Sequence, residues 1–321
     1  MLLLSQTDHP DLVNLLLAAG DRLRLNEPMS LHTTFRIGGC ADIYFEPESE
    51  DEIQKAILYS QSHSLPCTIL GNGSNILVSD QGIRGLVLAF GEPYAHMWRD
   101  GSQIIAQAGA RLAAVAAFAA HSGLSGLEFA SGIPGTLGGA ILMNAGAYES
   151  CMADVIIQTD FLNDRMDHQQ AQGNGHRFGY RSSYFLENAS IILGAAIQLK
   201  PDRSEDILLR MADLAARRRA SQPLDLPSAG SVFMRPPGFY AGKLISDCGL
   251  RGVRFGDAQV SEKHAGFIVN RGQATACDVR SMLVYVRDRV AAETGVHLEP
   301  EIRIIGEWSG WADPSSPVGS V

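Results

Sequence analysis

Apolar positions along the chain change period several times, and each change marks an element. From Cys277 to Thr294, Val279, Met282, Leu283, Val286 and Val290 recur at three- and four-residue spacing. That spacing predicts a helix with one buried face, with Thr275 placed as its cap and Gly295 as its stop. Glu205 to about Arg219 is a second helix. Its closing Arg217, Arg218 and Arg219 either complement the helix dipole or form a solvated face. Arg111–His121 is an alanine-rich helix, and Ser49 and Glu52 have capping-box spacing ahead of a helix running to about Ser62. Residues 11–19 and 240–247 read as two short helices. Between them, runs at 41–45, 66–70, 76–78, 86–90, 104–108, 155–161, 191–200 and 266–270 read as strands, and 297–305 alternates as a final one. Many strands, few helices and no regular strand–helix alternation predict an α+β architecture.

One stretch fits neither period. Gly126 to Tyr148 carries glycines at 126, 132, 135, 138, 139 and 146, with Pro134 and a single charge, Glu128. Glycine weakens helix and strand interiors but lets a ligand approach the main chain, whose amides can face anionic oxygens. The stretch therefore reads as the wall of a cofactor site, or else as turns packed on a sheet. Gly71-Asn-Gly-Ser-Asn75 joins one strand to the next and would suit a pyrophosphate, although Asn-Gly also makes plain hairpin turns. No Gly-x-Gly-x-x-Gly opens a helix, so the Rossmann fingerprint is missing.

Composition narrows the class. The 321 residues are 45% hydrophobic and 19% charged, enough for two or three domains with real cores. No apolar run is long enough for a membrane span. The start of the chain has no basic region of the secretory kind. Five scattered cysteines with no Cys-x-x-Cys pair indicate neither a disulfide framework nor a metal site, and a reducing cytoplasm fits them. The net charge of −9 opposes nucleic-acid binding, yet residues 206–297 hold 13 Lys/Arg against 9 Asp/Glu. That basic third suits an anionic small molecule.

Nine segments in order then resemble one family: Thr33–Gly39, Leu70–Asn75, Ser131–Gly139, Met143–Tyr148, Tyr180–Phe185, Ala229–Phe233, Gly242–Ile245, Val260–His264 and Leu298–Glu301. Across roughly residues 20–307 the chain resembles UDP-N-acetylenolpyruvoylglucosamine reductases, in their shorter form without a Tyr-bearing loop insertion. The resemblance implies two α+β subdomains of the vanillyl-alcohol-oxidase type (PCMH type) around non-covalent FAD, and a C-terminal α+β substrate-binding domain. In this chain these become 1–80 (with the N-terminal helix), 81–205 and 206–297, with 298–307 returning to the second subdomain and 308–321 a disordered tail. It further implies NADPH as hydride-donating co-substrate, an enolpyruvyl UDP-sugar as substrate, a cytoplasmic monomer, and no nucleic acid, membrane or metal.

The same resemblance assigns roles. Gly71, Asn72, Gly73, Ser74 and Asn75, together with Ser131, Gly132, Ile133, Pro134, Gly135, Gly138, Gly139, Asn144 and Ala145, would hold the cofactor. Hydride addition to the enolpyruvyl alkene builds negative charge beside its carboxylate, so the site needs a strong donor there and a proton source at C2. Arg181 would grip the carboxylate, Ser231 would give the proton and Glu301 would be the second stabiliser, provided that it is protonated or linked through a donor. Arg181 could otherwise be a surface ion-pair partner, Ser231 a turn hydroxyl, and Glu301 an outward strand residue two positions from Glu299. Tyr180, Arg235, Lys243, Lys263 and His264 would meet the UDP-sugar. Met234 replaces a lysine common in the family, with Arg235 next to it, and His32 stands where Asn is common. Another FAD oxidoreductase, or a non-catalytic nucleotide-sugar binder, would share much of this pattern. A covalent flavin is disfavoured by the lack of His and Cys in 71–75 and 131–146.

Overall fold

A computed structural model describes residues 19–308. The expected helix over 11–19, apart from its last residue, and the expected tail after Trp308 lie outside the described residues. The described chain divides into two compact units, one containing residues 19–26, 43–72 and 85–218, the other residues 27–42, 73–84 and 219–308. Each has its own apolar core. Both mix helix and strand, so the α+β expectation holds.

In the first unit a five-stranded antiparallel sheet has the order His168–Gln172, Ile156–Leu162, Ile191–Gln198, Gln103–Gln107, Met97–Asp100. Cys67–Leu70 lies beside Ile83–Ala89 in parallel in a second sheet. The helix Glu50–Ser62 begins as its sequence predicts, with the Glu52 amide donating to Ser49 Oγ at 3.3 Å. The other half of the expected box is taken over: the Glu52 carboxylate receives the Glu48 amide at 2.8 Å and a fork from Arg22 at 2.7 and 2.8 Å. The Arg22 hydrogen bond holds the Glu52 carboxyl below the usual carboxylate range.

The glycine-rich stretch contains a helix that the apolar pattern does not reveal, Leu137–Leu142. Thr136 Oγ1 caps it by accepting from Gly139 N at 3.3 Å. Helix propensity argues against two glycines here, but packing decides. Gly138 N donates to Ala108 O at 2.9 Å, and a Cβ on Gly138 would come within 3.0 Å of the Ala108 methyl. Leu112 N to Gly135 O and Leu137 N to Ala110 O complete the seam between this stretch and the helix Leu112–His121.

His176 is buried in the same unit. Its Nδ1 lies 3.1 Å from Gly173 O and its Nε2 3.0 Å from Thr159 Oγ1, and the ring stacks on Phe178. Facing a carbonyl, Nδ1 donates, and in the neutral ring Nε2 then accepts from the threonine hydroxyl. Burial pushes its pKa below the ordinary value of 6.5, against the weaker upward pull of the Gly173 carbonyl. Stability from this group is therefore complete above that value and is lost as pH falls through it toward the lower folded-state pKa. The melting temperature is expected to drop between about pH 7 and pH 5, and His176→Gln is expected to flatten that drop in pH-resolved calorimetry. An unchanged profile in the variant would assign the loss to other groups.

In the second unit Ser228–Ser231, Phe267–Asn270, Ala258–Val260 and Arg254–Phe255 form an antiparallel sheet in that order. Helix Ala276–Thr294 keeps both sequence-predicted ends: Thr275 and Asp278 form a full capping box, and Gly295 is left-handed at φ 73°. Asp80 adds acceptors for the amides of Ala276 and Cys277 at 2.8 and 3.0 Å. The last strand differs from expectation in extent and partner. Only Arg303–Ile305 is strand, and it pairs in parallel with Ile76–Val78 rather than with residues 81–205. Pro300 has no N–H to give a ladder, so the chain before it makes one isolated bridge, to Phe233.

Candidate active site

The first unit brings two of the glycine segments together. Asn72 Nδ2 donates to Pro134 O at 2.6 Å, and a Cβ on Gly71 would sit 2.4 Å from Thr136 Oγ1. Residues Ser131 to Gly135 are partly or fully exposed, although Ala130 before them and Thr136 after them are buried. A Cβ added to Gly139 would meet nothing nearer than Thr136 Oγ1 at 3.5 Å. The stretch is therefore a partly exposed, glycine-rich surface, open at Gly139 where a side chain would otherwise stand. Ser131 Oγ donates its proton to Glu128 O at 2.8 Å, so that hydroxyl is not offered as a donor to an anionic ligand. Arg218 lies against Gly132, with Nη1 3.0 Å from where a Cβ would be, and burial lowers its pKa from the ordinary arginine value. The triplet of arginines is therefore not one solvated face: the middle residue packs on the glycine segment.

Arg181 sits in a tight turn of the same unit. Gly179 and Ser182 form an isolated antiparallel bridge, and Arg181 between them is left-handed at φ 53°. Tyr180 is 57% exposed, with the Arg181 guanidinium over its ring at 5.2 Å. Asn144 Nδ2 donates to Gly179 O at 2.9 Å, Asn144 Oδ1 accepts from Ala153 N at 3.0 Å, and Ser183 Oγ donates to Leu142 O at 2.7 Å. Ala145 is similarly committed through its amide, which donates to Ala140 O. A groove of about 600 Å³ elsewhere in this unit, bordered by Phe129, Tyr148, Leu209 and Arg217, includes none of the sequence-assigned residues.

In the second unit the segments that carry the remaining catalytic candidates are joined by main-chain bonds. Glu301 N donates to Val232 O at 2.8 Å and Met234 N to Glu299 O at 2.8 Å, so Ser231 and Glu301 lie on adjoining extended segments. Asn75 grips the same segment twice: its Nδ2 donates to Glu301 O at 3.2 Å, and its carbonyl accepts from Arg303 N at 3.0 Å. Gly73 precedes it at φ 59°, and a Cβ there would fall 2.0 Å from His32 O, so only glycine makes this turn. Glu299 is exposed and Glu301 is partly covered, which separates two acids that sequence alternation could not.

The proposed UDP-sugar residues are in varied settings. The Arg235 guanidinium covers the Tyr240 ring at 4.0 Å. Lys243 is ion-paired with Asp247 at 2.9 Å on an exposed helix face. Lys263 Nζ donates to Arg219 O. His264 packs edge-on against Phe267 at 4.9 Å and accepts from Gly266 N through Nδ1 at 3.2 Å; burial lowers its pKa, so it is a neutral group. Tyr240, 61% exposed, was read only as the start of a short helix. Its signal was an aromatic five residues after Arg235, close enough for stacking once Pro236 and Pro237 turn the chain.

A family model described as "UDP-N-acetylenolpyruvoylglucosamine reductase, C-terminal domain" matches residues 222–305, and one described as "FAD binding domain" matches residues 41–165. A UDP-N-acetylenolpyruvoylglucosamine reductase of Caldanaerobacter subterraneus subsp. tengcongensis is 49% identical over 286 residues, covering 89% of this chain and 94% of the relative. That of Agathobacter rectalis is 48% identical over 295 residues, covering 88% and 94%. The crystal structure of the Thermus caldophilus enzyme is 35% identical, with a TM-score of 0.74 over 88% of this chain and 97% of that one.

Proposed function

Because the chain belongs to the UDP-N-acetylenolpyruvoylglucosamine reductase family, we propose a catalytic arrangement built on Arg181, Ser231 and Glu301. The enzyme is an FAD-dependent oxidoreductase that uses NADPH to reduce UDP-N-acetyl-3-O-(1-carboxyvinyl)-glucosamine to UDP-N-acetylmuramate, a peptidoglycan precursor. The residues present fit FAD. Asn72 and Gly71 abut the partly exposed segment 131–135, the Arg218 guanidinium beside Gly132 adds positive charge for an anionic group, and Gly139 leaves open the space that a Cβ would take. When bound, FAD supplies the carrier that accepts hydride from NADPH and donates it to C3 of the enolpyruvyl group.

The chain's own residues do the rest. Arg181 holds the substrate carboxylate with a two-pronged hydrogen bond, and its permanent charge opposes the charge that grows there. Ser231 gives a proton to C2; a serine is a weak acid, and only a strongly basic enolate carbon makes it a competent donor. Glu301, protonated or linked through a donor, is the second stabiliser of the same developing charge. Arg235, Lys243, Lys263, His264 and Tyr180 meet the UDP-sugar, and Arg235 with Tyr240 beneath it serves where the family's usual lysine is Met234. Met234 N is itself paired with Glu299 O, which holds Arg235 next to the Ser231–Glu301 seam.

The observation that supports this reading is the hydrogen bond from Glu301 N to Val232 O, which joins the two segments that carry Ser231 and Glu301, from distant parts of the sequence. No described helix is long and apolar enough to cross a membrane. We place the enzyme in the cytoplasm, as a monomer acting on small molecules and not on nucleic acid. The test is optical. The purified protein should be yellow, bleach with NADPH and regain its colour with the enolpyruvyl sugar nucleotide. A protein without flavin fails the reading, and bleaching that this sugar does not reverse points to a different small substrate.

A further inference from the structure

We propose that Asn144, which the sequence places among the cofactor-binding residues, is instead a positioning residue for Arg181. The inference rests on the reading of Arg181 as the group that holds the substrate carboxylate. Asn144 is 8% exposed, and both ends of its amide are engaged by protein. Oδ1 accepts from Ala153 N at 3.0 Å, and Nδ2 donates to Gly179 O at 2.9 Å. Asn144 lies in the left-handed region at φ 42°, just past the helix Leu137–Leu142, a conformation that Asn tolerates better than most residues.

Gly179 opens the turn that carries Arg181. The turn is closed by Gly179 N to Ser182 O at 3.1 Å and holds Arg181 at φ 53°, a conformation a free arginine would leave. Its two ends are tied to the same short segment: Gly179 to Asn144, and Ser183, through its hydroxyl, to Leu142 O at 2.7 Å. The base of Arg181 is thereby fixed to the end of the glycine-walled helix. A long flexible side chain gripping a carboxylate with two bonds needs such a base, because a shift of about 1 Å costs much of the benefit of orientation. Asn144 supplies it through one donated and one accepted hydrogen bond, both made to the protein.

Asn144→Asp keeps an acceptor for Ala153 N and removes the donor to Gly179 O. Asn144→Gly keeps the left-handed backbone and removes both contacts, and so reports if the aspartate fails to fold. Two readouts are compared: the dissociation constant for FAD added to apoprotein, and the rate at which the pre-reduced holoenzyme is reoxidised by the enolpyruvyl UDP-sugar. FAD affinity is expected to stay within about threefold, while reoxidation slows by roughly 10- to 100-fold. In an Arg181→Ala background, Asn144→Asp should add less than about twofold, because residues acting as one unit are not additive. Full additivity over a slow Arg181→Ala enzyme overturns the positioning role and leaves the Arg181 reading standing. Weakened FAD binding with normal reoxidation at saturating FAD makes Asn144 a cofactor contact. Normal reoxidation by Arg181→Ala alone removes both.

Discussion

Ser231→Ala is expected to separate the two half-reactions. Reduction of the bound flavin by NADPH needs no proton at C2 of the sugar, and its rate should stay within about twofold of the parent's, while reoxidation by the enolpyruvyl sugar should slow by ~10²-fold or more, the usual scale for losing a general acid. That factor corresponds to about 2.7 kcal/mol of transition-state stabilisation. The location of the residue makes the test clean. Ser231 ends the strand Ser228–Ser231 opposite Phe267, and the neighbouring ladder bonds are made by main chain, from Val232 N to Gly266 O and from Glu301 N to Val232 O. Removing one hydroxyl leaves those bonds in place. Stopped-flow absorbance of each half-reaction measures the difference, and equal slowing of both would make Ser231 structural.

Arg181→Ala is expected to cost reoxidation ~10²–10³-fold at saturating sugar nucleotide, the range seen when a donor aimed at developing charge is removed. Arg181→Lys should fall between: it restores charge but not the planar fork that matches a carboxylate. The split between binding and chemistry is diagnostic. The carboxylate carries more charge in the transition state than in the substrate, so kcat should fall more than KM rises. A pure KM effect would mean that Arg181 binds ground and transition states alike. The turn 179–182 is held by main-chain bonds and by Asn144 and Ser183, none of which involves the guanidinium.

Elements whose local signals agreed were readable from the chain. Helix Ala276–Thr294 has a cap, a stop and an apolar face in register, and the structure keeps all three. Helix Leu137–Leu142 was hidden because Gly138 and Gly139 speak against it locally, while their value lies in close approach to Ala108, a contact between segments about thirty residues apart. Strand Arg303–Ile305 was read too long because alternation continues through Pro300, and its partner Ile76–Val78 is set by long-range packing that no local pattern encodes. In the candidate site, residue types were legible and commitments were not. Asn72, Asn75 and Asn144 all suited a polar ligand on sequence, yet each spends a side-chain amide donor on a protein carbonyl. Alternation could not separate Glu301 from Glu299; the motif chose Glu301, and the structure covers it more than Glu299.

The most direct measurement is a crystal structure of the FAD-bound enzyme with the enolpyruvyl UDP-sugar in place. The account predicts two Arg181 N–H groups at about 2.7–2.9 Å from the sugar's carboxylate oxygens. It also predicts Ser231 Oγ within about 3.5 Å of C2, with the Glu301 carboxyl against the same carboxylate. A complex in which Arg181 faces solvent, or in which Ser231 and Glu301 lie on the far side of their segment from the bound sugar, would contradict it.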